Sequence, residues 1–222
     1  MTAPALVLHG YWRSSAAYRV RIGLGLKGLV WQDRPVHLVR DGGEQHGAAH
    51  VALNPQQLVP VLEHAGRVLP QSLAILEYLD EAFPGTPALL PADPAGRAQV
   101  RALAQLIACD VHPLNNLRVM QYLGRELAAD EAARARWTAH WMEEGFAAME
   151  TLLAQRSPPG DFCHGDRPGQ ADCCLVPQLY NARRFGVDLG RYPRLLQIEQ
   201  ACLALPAFAA AAPEAQPDAV AV

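Results

Sequence analysis

The chain has 222 residues, half of them apolar and 18% charged, with a formal net charge of −3. It exceeds one average domain and carries enough apolar material for a sizeable core, which excludes a disordered chain. The slight acidity argues against a nucleic-acid footprint, and no apolar run approaches the ~20 residues of a membrane span.

The opening MTAPALVLHGYWR lacks the basic-then-apolar order of a signal peptide, so a soluble cytoplasmic protein is expected. The five cysteines are odd in number and form no C-x-x-C pair, which disfavours a disulfide framework or a cysteine zinc site. Ala5 to His9 reads as a short buried strand. Ser14 to Lys27 reads as a helix, with Ser14 or Ser15 as N-cap and Gly28 just past its end. Val30 to Leu38 is strand-like, but Pro35 makes it an edge or interrupted strand. Val59–Glu63 and Arg67–Leu69 bracket Ala65-Gly66 as a hairpin, and Gln71-Ser72 opens a helix through Leu79 with Ser72 as cap. The order β-α-β then β-β-α describes a small α/β layer fold.

The proline-rich segment Pro84 to Pro94 is expected to be an extended linker. Beyond it the pattern turns helical: 94–126 and 130–156 repeat apolar residues every three or four positions. A Pro/Gly-rich loop from Ser157 to Gly169 follows, then helices over 170–185 and 193–204, and a short one over Pro206 to Ala212. The tail from Pro213 is expected to fray.

Three stretches carry candidate chemistry. Ser14 sits where a strand gives way to a helix, whose unpaired N–H groups and partial positive charge favour an anion. Its hydroxyl suits donation to a thiolate, against the plainer reading of a helix cap. A cis bond at Val59-Pro60 would turn the Val59 N–H and C=O toward a peptide-like ligand; the alternative is an ordinary edge-strand proline. Gln71-Ser72 begins another helix able to hold a carboxylate, or is again a plain cap.

In order, Ser14-Ser15-x-x-x-Arg19-Val20-Arg21-Ile22, Asn54-Pro55-x-x-x-Val59-Pro60, Gln71-Ser72-x-Ala74-Ile75-x-Glu77-Tyr78-Leu79, Asp110-Val111-His112-Pro113-Leu114-Asn115-Asn116 and Ala171-Asp172 resemble the zeta class of glutathione transferases. The resemblance covers nearly the whole chain. It implies a thioredoxin-like α/β domain over 1–83, a linker over 84–93, an all-α substrate-binding domain over 94–222, and a homodimer. Glutathione is the implied cofactor: its thiol at Ser14, with Ser15 and Arg13 alongside as catalytic residues, its cysteinyl backbone on Val59 and Pro60, its γ-glutamyl end on Gln71 and Ser72, and Gln57 at the glycine end. His112 and Asn116 match positions near glutathione or substrate. Arg13, Arg118 and Arg184 are the implied partners of the substrate's carboxylates and enolate charge.

The implied reaction is cis–trans isomerisation of a maleyl keto acid, maleylacetoacetate in first place and maleylpyruvate as the alternative. The thiolate adds to the activated C=C, rotation follows, and elimination returns the thiol with the trans product. A conjugating transferase and a non-catalytic glutathione-binding regulator are the remaining alternatives. Two departures from the class bear on specificity. Ala16 stands where the signature usually has cysteine, and Leu117 where the maleylpyruvate branch has a first arginine before Arg118. Gly169-Gln170 replaces the Ser or Thr that commonly caps the helix opening at Ala171-Asp172, which concerns stability. His37, His46, His50 and His64 lack metal-ligand spacing and are expected to be surface residues, so no metal site is expected. Arg183 is expected on a solvated face or in an ion pair, and Cys173-Cys174 in a helical core.

Overall fold

A computed structural model describes residues 5–155 and 160–220 and divides them into two compact units. The first takes the residues up to Leu89 together with those from Leu203 onward; the second runs from Leu90 to Cys202.

Alternation along β1 (Leu6–Gly10) buries Leu6 and Leu8 on one side of the strand. The following helix α1 (Ser15–Leu26) is buried almost all round, and its Ser14 cap accepts a hydrogen bond from the Ala17 N–H at 3.2 Å. It ends at Gly28, whose φ of +64° is the left-handed conformation glycine adopts freely. Next, β2 (Trp31–Pro35) pairs parallel to β1 and forms the sheet edge, where Pro35 costs no ladder bond. Helix α2 (Ala48–Leu53) follows two tight turns. It escapes a periodicity reading because six residues show less than two turns of pattern. Strands β3 (Val61–His64) and β4 (Arg67–Pro70) form the expected hairpin, with Ala65 and Gly66 both at positive φ. The sheet order is β2-β1-β3-β4, antiparallel except for β1 with β2.

Helix α3 (Ser72–Ala82) corrects one expectation: the residue at the cap position is Gln71, at φ +72° and without a side-chain cap bond, so Ser72 lies in the first turn. Helices α1 and α3 approach closely; a Cβ on Gly23 would sit 2.2 Å from the Leu76 Cδ2. Leu8, Val20, Leu24, Leu62, Ile75 and Leu79 fill the core between helices and sheet. The linker leaves α3 clamped: the Lys27 ammonium donates to Asp80 at 2.8 Å and to the Pro87 carbonyl at 3.0 Å, while Asp80 accepts from the Leu89 N–H.

In the second unit, α4 (Pro94–Gln105) starts on the Asp93 cap. The stretch read as one helix over 94–126 is broken: a π-helical turn (Leu106–Val111) and a 3-10 turn (His112–Asn115) precede α5 (Leu117–Arg125). Pro113 lacks the N–H that a continuing helix needs. A Cβ on Gly145 would lie 2.1 Å from the Val111 Cγ2, so α6 (Glu131–Ala154) passes close against this break. Part of the expected loop, 157–159, lies outside the described residues, as does position 156. Helix α7 (Gln170–Arg184) is buried through most of its length, Cys173 and Cys174 included. Asp172, in its first turn, accepts from the Gly169 and Cys163 N–H groups at 2.8 Å each. Burial pushes this carboxyl up from the usual range, against the pull of those two donors. Arg183 does form an ion pair, bidentate with Glu199 of α8 (Pro193–Leu203).

A helical domain running from 94 to 222 does not describe the last segment. Helix α9 (Pro206–Ala211) packs on α1 and belongs to the first unit. The Arg21 Nε donates to the Ala211 carbonyl at 3.0 Å, and a Cβ on Gly25 would meet Ala207 at 3.2 Å. The tail does not fray through the described residues. Gln216 is buried and donates to the carbonyls of Ala210 and Ala212, and Asp218 accepts from the Trp12 N–H at 3.0 Å.

Candidate active site

The sheet register places three loops side by side. His9 lies opposite Val61, and Val61 opposite Pro70. The segments just beyond these pairs are Tyr11–Ser15 after β1, Val59-Pro60 before β3 and Gln71-Ser72 after β4. They therefore leave the sheet at one end, across adjacent strands. That juxtaposition brings Arg13, Ser14, Ser15, Val59, Pro60, Gln71 and Ser72 to one edge of the first unit.

Each loop is held by groups that the fold supplies. Ser14 accepts from Ala17, which leaves its own hydroxyl proton to donate outward. Ser15, the first residue of α1, is buried, and the Arg13 guanidinium stacks 5.0 Å from the centroid of the buried Trp12 ring. The Val59-Pro60 bond is cis, and neither the N–H nor the C=O of Val59 makes a hydrogen bond among the described residues. Ser72 is buried and accepts from the Arg19 Nη1 at 3.2 Å, so its hydroxyl too can donate to a ligand. Gln71 is exposed and donates to Gln56 at 2.8 Å. Gln57 sits at φ +58°, its amide oxygen 2.5 Å from the His46 Nδ1.

The second unit holds the other four candidates. His112 opens the 3-10 turn, and Asn116 caps α5, its Oδ1 accepting from the Arg118 N–H at 3.2 Å. That cap leaves the Asn116 amide nitrogen as its group for a ligand. The Arg118 side chain is on the surface. Arg184 is exposed at the end of α7, donating to Asn181 at 3.3 Å and lying 5.1 Å from the Phe185 ring centroid. The turn brings His112 and Asn116 close together, whereas Arg184 belongs to a separate helix end. Among the described residues no His/Cys/Asp/Glu cluster could hold a metal ion.

Several supporting residues escaped the sequence reading. His50 is buried, not a surface histidine; with Asn54 it donates to the Leu58 carbonyl, at 3.0 and 2.9 Å, fixing the approach to Val59. The two lie four apart, one helical turn, and that spacing is the signal that was available. Arg19 and Arg21 are each 2% exposed, and two arginines inside a helix otherwise buried are a sign of internal work. Burial lowers Arg21 to about 10, only partly offset by Asp33 and Asp218, so it stays cationic at neutral pH.

Comparison with known proteins places this architecture. Residues 8–87 match the family model of the glutathione S-transferase N-terminal domain, and residues 131–199 that of the C-terminal domain. The chain belongs to the glutathione S-transferase family, in its zeta class. It is 54% identical to a "probable maleylacetoacetate isomerase" of Vibrio cholerae, over 97% of this chain and 99% of that one. To the maleylpyruvate isomerase of a Ralstonia species it is 51% identical, over 95% and 98%. The holo structure of a zeta-class maleyl pyruvate isomerase superposes with a TM-score of 0.93, at 50% identity, covering 96% of this chain and all of the other. A maleylacetoacetate isomerase from Anaeromyxobacter dehalogenans 2CP-1, solved with GSH in its active site, gives 0.87 at 48% identity, covering 99% and 100%.

Proposed function

We propose that the protein is a glutathione-dependent cis–trans isomerase of maleyl keto acids that converts maleylacetoacetate to fumarylacetoacetate. The observation that carries this reading is the gathering of Ser14, Val59 and Ser72 at one end of adjacent strands. It occurs in a chain 54% identical to a relative named for that activity. The residues suit the tripeptide: Val59 offers one backbone donor and one acceptor with no partner among the described residues, as a peptide bond requires. Ser72 and Gln71 offer donors to an amino-acid carboxylate, and Ser14 a donor at the head of a helix.

When bound, glutathione supplies a thiolate able to add reversibly to an activated double bond, which permits rotation, and it is not consumed. The Ser14 hydroxyl holds the sulfur in its ionised form, since a free thiol with pKa ~8.5 is mostly protonated at pH 7. Arg13, fixed against Trp12, stabilises developing enolate charge. Arg184 and, more weakly, Arg118 meet substrate carboxylates, with His112 and Asn116 as further polar contacts. Gln57 completes the tripeptide's glycine end. The class resemblance supports a homodimer, which sedimentation would register as twice the 24.1 kDa chain, and a cytoplasmic setting where glutathione is abundant. No helix among the described residues is long and apolar enough to cross a membrane.

A second reading, maleylpyruvate isomerisation, is favoured by the Ralstonia relative and the 0.93 superposition. Initial rates with catalytic glutathione, followed by loss of enol absorbance, test both; the larger kcat/KM on maleylacetoacetate is the expected result. No turnover on either acid despite glutathione binding would mark a regulatory protein, and stoichiometric glutathione consumption a conjugating transferase.

A further inference from the structure

The loop that carries Arg13 is gripped from two directions by residues outside it. The Arg21 Nη2 donates to the Trp12 carbonyl at 2.9 Å and its Nη1 to the Tyr11 carbonyl at 3.5 Å. From the opposite end of the chain, Asp218 accepts from the Trp12 N–H at 3.0 Å, 206 residues away in sequence. Both polar groups of the Trp12 peptide frame are thus held by charged side chains. The same arginine reaches the Ala211 carbonyl, so one guanidinium joins the loop to α9. Arg13 in turn rests on the Trp12 ring.

We propose that Asp218 is a positioning residue for the isomerisation: with Arg21 it locks Trp12, and through the Trp12 ring it fixes where the Arg13 guanidinium points. A hydrogen bond to a charged acceptor is among the stronger ones, and small misplacement of a catalytic group is expensive in rate. Apart from the sulfur at Ser14, the proposed glutathione contacts, at Val59, Gln71 and Ser72, come from other loops. Loss of the lock therefore acts on turnover and spares tripeptide binding. The docked tail becomes a working part of the site rather than a trailing end.

This inference rests on the isomerase reading, and the test separates the two. Hydrogen exchange at the Trp12 amide is compared in wild type, Asp218→Ala and Asp218→Asn, alongside kcat and glutathione affinity. In D218A, the Trp12 amide should exchange at least tenfold faster. Its kcat should fall about tenfold while the glutathione Kd changes less than about twofold. Asn keeps an oxygen that accepts from Trp12 N–H, so D218N should recover both exchange protection and most of kcat. Unchanged Trp12 exchange in D218A would overturn the lock. Faster exchange with kcat intact, or an equal fall in kcat and affinity, would reduce Asp218 to a structural residue. If wild type shows no isomerisation, the functional reading fails, and the exchange data alone then judge whether Asp218 holds the loop.

Discussion

The two units present their candidate residues in different ways. In the first, Ser14, Val59 and Ser72 are fixed by strand register and by buried side chains that hold each loop: Arg19 on Ser72, His50 and Asn54 on the Leu58 carbonyl, Arg21 and Asp218 on Trp12. In the second, His112 and Asn116 share a turn, but Arg118 and Arg184 stand exposed on long side chains. Rigid backbone suits a cofactor that is the same in every turnover, whereas solvated arginines suit recognition of a substrate's carboxylates, where a change is tolerated. A division of mutational effects follows: the first unit should govern the thiol, glutathione and, through Arg13, turnover, and the second substrate KM.

The largest effect is expected at Ser14. Ser14→Ala removes the hydroxyl proposed to hold the sulfur, so kcat/KM should fall by about a hundredfold or more while glutathione affinity shifts a few-fold. Ser72→Ala should instead raise the KM for glutathione about tenfold and leave kcat nearly intact, since its bond acts on binding alone. Steady-state kinetics with calorimetric binding would check both. Equal losses in kcat and affinity for either variant would break the division.

In the second unit, Arg184→Ala should raise the KM for the maleyl keto acid about tenfold, and Arg118→Ala less than about threefold. Substrate saturation curves at fixed glutathione read both. A larger effect at Arg118 would move the carboxylate contact onto α5, and an effect of either variant on glutathione binding would merge the roles of the two units.

The same contrast shows in how much the sequence disclosed. The three loops of the first unit lie at strand ends and helix starts, where Ser14, Pro60 and Gln71-Ser72 are local signals. Long Ala/Leu periodicity made α6 plain. The break from Leu106 to Asn115 was missed because apolar spacing continues through it and only Pro113 interrupts. Helix α2 is too short for periodicity, and its buried His50 looks like any histidine without its partner carbonyl. The tail was least legible: Ala- and Pro-rich residues suggest fraying, and the partner of Asp218 stands at the other end of the chain. Contacts between distant residues leave no local pattern.

The smallest effect concerns alkaline stability, where the two units carry opposite signs. Cys202, fully buried on α8, has its thiol 3.9 Å from Asp172; burial, then the Asp172 and Glu199 carboxylates, push it far above the ordinary thiol range. Burial likewise raises Tyr192, whose hydroxyl donates to the Glu143 carbonyl. A folded value above the unfolded one means the fold prefers the protonated group. That stability is whole below the ordinary values of ~8.5 and ~10 and drains away as pH climbs past them. Arg21 runs the other way: burial lowers it to about 10, so the unfolded chain holds that proton longer and raising pH above 10 relieves a penalty in the first unit. Cys202→Ala should therefore flatten the decline of stability above about pH 9, by up to ~1.4 kcal/mol per pH unit, with little change at pH 7 beyond the cost of the lost sulfur. Denaturant midpoints from pH 7 to 11 measure that slope. Hydrogen exchange at pH 10 should find α8 opening before α1, and earlier opening of α1 would reverse the assignment of the alkali-sensitive groups.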